Sequence, residues 1–247
     1  MLPGGIALLA FGVAGVVWFA LETTAPRLGF EDTDSPAVML AFLRAHPEVY
    51  GQASLVLLSM SVALTVAVLA VRDALAPASG SLALRAASAV GLLAAACFFL
   101  LGVVRAVAGP LLYIDGLSPA WGEAGYVVVQ IIGTHLFAQG ATLALAIWIG
   151  GLALFGARSR TLPLVLCWLA IVPALRIAIV AGPLGLAEGA DDVLWIVFMA
   201  AIPGTMLWIV GLGLLLIRRA RQATGEASSS WTGTNGGGPL AGSAHRR

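Results

Sequence analysis

Six runs of about 20 apolar residues, separated by short polar stretches, leave this chain few ways to fold. About 20 apolar residues are what a helix needs to cross about 30 Å of hydrocarbon. The runs extend from about Ile6 to Leu21, Val49 to Val71, Leu82 to Val107, Ala124 to Phe155, Leu162 to Ala181 and Val193 to Ile217. Within lipid every backbone amide must be paired inside its own span, and segments of this length meet that demand as helices. Composition points the same way. Of 247 residues, 60% are hydrophobic and 10% charged, against about 45–50% and about 25% in soluble domains. The expected fold is all-α, a polytopic transmembrane bundle of about six helices over residues 1–221. Residues 222–247 are rich in Gly, Ser and Thr and too poor in large apolar side chains to fold alone, so a disordered tail is expected there.

The first run lacks a basic leader, and Glu22-Thr23-Thr24-Ala25-Pro26 is not a small-residue cleavage site, so it reads as a retained helix. Pro47 suits the first turn of the second helix, where a missing N–H costs nothing. Ala76-Pro77-Ala78-Ser79-Gly80 marks a turn, and Gly109-Pro110 and Gly182-Pro183 mark the ends of the third and fifth helices. In the long first loop, Asp34 or Ser35 can cap a short helix with Pro36 at its first position, over about 36–45. Its apolar residues place it along the membrane surface.

With the N-terminus inside, nine Arg fall on the inner face: Arg72, Arg85, Arg158, Arg160, Arg218, Arg219, Arg221, Arg246 and Arg247. Only Arg27, Arg44 and Arg105 fall outside, with Arg176 inside the fifth helix. That asymmetry predicts an N-in/C-in plasma-membrane protein. All 13 basic residues are Arg, which suits a GC-rich bacterial genome. A net charge of +1 gives no sign of nucleic-acid binding. Small residues at Ala87, Gly91 and Ala95, at Gly12 and Gly15, and at Gly211 and Gly213 are read as close-packing points within the bundle, with a dimer seam as the alternative.

Polar side chains inside lipid are costly and often functional. The fourth helix is richest in them. His135, Gln139 and Thr142 form one stripe at i, i+4 and i+7, with His135 near the midplane. Glu123, Gln130 and Thr134 form a second. Inter-helix hydrogen bonding and a ligand or proton site both account for this pattern. Arg176 either snorkels to the boundary or pairs with Glu123 or Glu22. Pro173 and Pro203 interrupt the fifth and sixth helices at a depth similar to His135, which points to a cavity between the fourth, fifth and sixth helices.

Ligand-binding candidates are therefore His135, Gln139, Gln130, Glu123 and Arg176. Cys97 and Cys167 lie in apolar runs without metal spacing, and no cofactor or metal motif is present. The functional expectation is non-catalytic binding of a small amphipathic ligand or a membrane partner. The alternative is an intramembrane enzyme acting on a lipid or isoprenoid, with Glu123 or His135 as acid or base.

Three stretches carry a resemblance: Gly29-Phe30-Glu31-Asp32-Thr33-Asp34-Ser35-Pro36, Arg44-Ala45-His46-Pro47 and Trp121-Gly122-Glu123-Ala124. They look like a group of uncharacterised actinobacterial membrane proteins of the six-helix, domain-of-unknown-function type. The likeness covers about the first 220 residues. It implies six helices and no particular activity.

Overall fold

Where Pro stands at a helix start in this chain, a helix begins. Pro36 and Pro119 occupy the first turns of their helices behind Ser35 and Ser118, and Pro47 opens another. The computed structural model describes residues 1–30, 35–75, 82–112, 118–180 and 191–232. Within these, the side chains of Pro26, Leu112, Pro119, Thr134, His135 and residues 176–180, 191–202 and 224–232 are outside the description.

In chain order the helices are α1 (Leu2–Glu22), α2 (Thr24–Arg27), α3 (Pro36–Ala45), α4 (Pro47–Leu75), α5 (Leu82–Leu112) and α6 (Pro119–Gln130). A π-helical stretch, Ile131–Ala138, follows and leads into α7 (Gln139–Ser159). Then come α8 (Leu164–Leu169), α9 (Ile171–Val180) and α10 (Asp191–Thr232). The described residues contain no strand.

Among the described residues, five helices are long and apolar enough to cross a membrane: Leu2–Glu22, Pro47–Leu75, Leu82–Leu111, Ala120–Ser159 and Pro203–Ala223. The protein is an all-helical membrane protein. The expected fifth span is the exception, because it is broken at Ala170 into α8 and α9. Pro173 explains the break. It has no N–H to offer the Leu169 carbonyl, and its ring crowds that carbonyl. The two pieces nevertheless run together antiparallel to α10, since Leu166 meets Gly211 and Val172 meets Gly204. The indole Nε1 of Trp208 donates to the Leu166 carbonyl at 3.0 Å. The last helix continues beyond Arg221 to Thr232, over part of the expected tail, and residues 233–247 lie outside the described residues.

The long helices close into a ring. α1 packs between α4 and α10, α4 against α5, α5 against α7, and α9 joins α7 back to α10. Leu8, Phe11, Leu57, Leu64, Trp148, Ile149 and Trp208 are fully enclosed inside it. Backbones approach closely on both sides of α1. A Cβ on Gly5 would lie 2.7 Å from the Gly213 carbonyl, and one on Gly4 2.2 Å from the Ala70 Cβ. Only glycine permits such approach, and dispersion across the seam replaces the hydrophobic drive that lipid removes. The small residues are thus spent on contacts within the ring, as the spacing predicts.

These contacts also sort the two ends. The start of α1 lies beside the end of α4 and the end of α10, so Arg72, Arg218, Arg219 and Arg221 share one end. Arg219 donates to the Thr161 carbonyl there, which ties the α7–α8 turn to the same end. The opposite end carries the end of α1, the start of α4 and the end of α5. It is capped by a second small core of Ala25, Leu40, Phe42, Leu43 and Tyr126. In that cap α3 lies against α6, with Leu40 and Arg44 close to Gly122.

Candidate functional site

One face of α5 runs Ala94, Phe98, Leu101, Arg105 at helical spacing, and all four residues are buried. The first three pack in the ring, and the edge of Phe98 meets Phe11 at 5.8 Å and Trp18 at 6.3 Å between ring centroids. The same face therefore carries a guanidinium into the interior. Gly109 and Pro110 do not end this helix, which continues to Leu112. Pro110 lies in its last turn, where little ladder remains to be lost. Arg105 consequently lies about 10 Å inside the helix end by helical rise.

A buried guanidinium needs a counter-charge, and Glu22 supplies it. Arg105 Nη1 donates to Glu22 Oε1, in the one ion pair between helices among the described residues. The Arg105 side chain is 7% exposed and that of Glu22 38%. The cation is thus enclosed while its partner opens to the surface. Trp18, one turn before Glu22 on α1, donates its indole Nε1 to the same Oε1 at 2.9 Å. The Tyr50 ring, from the start of α4, covers the guanidinium with its centroid 5.4 Å from Cζ. That geometry is within cation–π range. Tyr126 on α6 is also within electrostatic reach of Arg105. Four helices thus meet at one charge, directly under the α3 cap. The arrangement holds a fixed cation near the capped end of the ring and presents a carboxylate beside it. Chemically it can receive hydrogen-bond donors at the carboxylate or an anion at the guanidinium.

The π-helical stretch adjoins this site. A Cβ on Gly133 would lie 3.3 Å from Leu101, one turn from Arg105 on α5. Gly140 faces Cys97, at the middle of α5. His135 lies five residues before Gly140 on the same span. A π-helical stretch closes i→i+5 hydrogen bonds and holds about one residue more per turn than an α-helix. Thr142 gives its hydroxyl to the Ala138 carbonyl of its own helix at 2.8 Å.

The sequence candidates are scattered against this site. The side chains of His135 and Arg176 lie outside the described residues, so the Arg176–Glu123 pairing does too. Glu123 and Gln130 are half-buried on α6, and Gln139 is exposed and engages a neighbour. Glu22, offered as a partner for Arg176, is joined to Arg105. Among the described residues no cluster of His, Cys, Asp and Glu forms a metal site. No protein-family model, curated protein or solved structure matches the chain. The geometry of the site therefore carries the functional reading.

Arg105 was the residue that sequence reasoning passed over. With the third helix ended at Val107 it looked like a rim charge. The usable signal was its place on the Ala94–Phe98–Leu101 face, together with Trp18 and Glu22 at i, i+4 on α1.

Proposed function

We propose that this is a multi-pass plasma-membrane protein with both termini in the cytoplasm, which binds a small amphipathic ligand or a membrane partner at the Arg105 site. The orientation rests on the clustering of Arg72, Arg218, Arg219 and Arg221 at the end opposite the cap, since basic residues stay on the cytoplasmic side. The binding reading rests on one observation above all: an enclosed cation whose carboxylate partner opens to the surface near the capped end of the ring. Burying ions is a poor route to stability, so an enclosed cation calls for another reason to be there. Charged groups placed inside a membrane protein mark ligand or ion paths more often than structural pins. The α3 helix above the site packs Leu40, Phe42 and Leu43 with Tyr126 and turns Ala37, Ala41 and Arg44 outward, a small cover beside which an amphiphile could enter from the lipid.

The test is co-purification. The full chain, extracted in mild detergent, should retain a defined amphiphile detectable by mass spectrometry. The double variant Glu22→Gln, Arg105→Leu should lose it while eluting as a folded species. A bound fraction identical in composition to bulk membrane lipid, and unchanged in the variant, would refute the reading.

The π-helical stretch favours a second reading, an enzyme acting on a lipid or isoprenoid through His135 or Glu123, because such stretches recur at functional sites. Turnover of a co-purified lipid, lost in His135→Ala with the fold intact, would select it.

A further inference from the structure

The carboxylate of Glu22 is used unevenly. Both of its donors, Arg105 Nη1 and Trp18 Nε1, reach Oε1. Among the described residues no donor reaches Oε2. Two donors converging on one oxygen fix the plane of the group, so the second oxygen keeps a set position and its lone pairs. An ionised carboxylate accepts only. Its surroundings on α1 are apolar and face the lipid: Phe19 and Val16, three and six residues back, are both exposed. A molecule that satisfies Oε2 must therefore bring hydrogen-bond donors at one end and an apolar body that lies along α1 at the other.

We infer that Glu22 Oε2 binds the headgroup of a glycerophospholipid carrying a primary ammonium, with the acyl chains lying along Phe19 and Val16. The inference rests on the binding reading above and narrows it to one headgroup chemistry. The ammonium is preferred to a hydroxyl because a charged donor makes the stronger hydrogen bond to a carboxylate. It is preferred to a quaternary ammonium because that group has no N–H. A bare carboxylate or phosphate headgroup would meet Glu22 as a like charge.

Ethanolamine and choline lipids with the same chains differ in N–H against N–CH3, which makes them a direct probe. Native mass spectrometry of the full chain in mild detergent, with the two lipids added in equal amounts, should show the ethanolamine lipid retained about three- to tenfold over the choline lipid. One net hydrogen bond supports a ratio of that size. Equal retention by the parent protein overturns the inference without recourse to any variant. The double variant Glu22→Gln, Arg105→Gln, in which no charge is left uncompensated, should bring the ratio to about one. A folded double variant that keeps the preference overturns the inference as well. Free ethanolamine distinguishes the head alone from the lipid: if it displaces the lipid at millimolar concentration, a soluble amine is the ligand and the lipid assignment falls. Failure to retain any amphiphile refutes the binding reading itself, whereas retention without headgroup preference refutes only this narrower step.

Discussion

Replacing Glu22 by Gln should destabilise the protein more than replacing Arg105 by Leu, although each removes one member of the same pair. The two ions differ in what is left behind. Without Glu22, a guanidinium 7% exposed keeps its charge under Tyr50 with no carboxylate to offset it. Breaking a fully buried pair in this way typically costs about 3–5 kcal/mol. Glu22 is 38% exposed, so water reaches part of the site and the expected cost is about 2–3 kcal/mol. Without Arg105, the remaining carboxylate turns outward and hydrates. The loss is then mostly the stacking on Tyr50 and packing of the side-chain stem, about 1 kcal/mol. The double variant should lose about 1–2 kcal/mol, less than the sum, because it leaves no ion unpaired. Thermal unfolding of the three variants in one mild detergent measures the order and the coupling. If Arg105→Leu melts lower than Glu22→Gln, or if the losses simply add, the asymmetry of burial does not govern this site.

Other consequences follow from packing and orientation. Trp208→Phe removes the hydrogen bond to the Leu166 carbonyl and should cost about 1–2 kcal/mol in the same melting assay. Gly91→Ala would set a Cβ 2.8 Å from both Trp148 and Val68 and should cost about 1–3 kcal/mol, whereas Gly12→Ala meets nothing nearer than 3.7 Å and should be tolerated. Thr142→Val should change stability by less than about 0.5 kcal/mol and leave ligand retention intact, since the hydroxyl bonds within its own helix. A C-terminal alkaline phosphatase fusion should be inactive and a fluorescent-protein fusion bright; the reverse would overturn the N-in/C-in orientation.

How far the sequence could be read depended on what interrupts each helix. α1, α4 and α5 were legible because their apolar runs carry no internal break before the last turn. α3 was legible to the residue, since Ser35 and Pro36 mark its start and Arg44 and Ala45 its end. The fifth segment read as one span because its apolar residues continue through Ala170. Pro173 divides it by withdrawing a backbone donor, which hydropathy does not register. The fourth segment concealed its π-helical stretch for a related reason, because a change in hydrogen-bond period leaves composition untouched. Glu22 and Arg105 lie far apart in the chain and each stood near an expected helix end, so nothing local announced the pair. Three-dimensional adjacency of helix ends was needed to bring them together.

The π-helical stretch also sets the phase between the two halves of the longest span. In an α-helix each residue turns the chain by about 100°, so a turn that holds one residue more acts as a single-residue insertion. Everything before Ile131 is thereby rotated relative to α7 without a loop or a proline. Trp148 of α7 packs in the ring, while Tyr126, on the far side of the stretch, packs in the cap with Leu40 and Leu43. Rewinding the stretch as α-helix at unchanged length would swing Tyr126 by about 100° around its axis and unseat α3, whereas removing one residue within 131–138 would return a continuous α-helix with Tyr126 in its present phase. The cap is therefore held in register by an irregularity in the span beneath it.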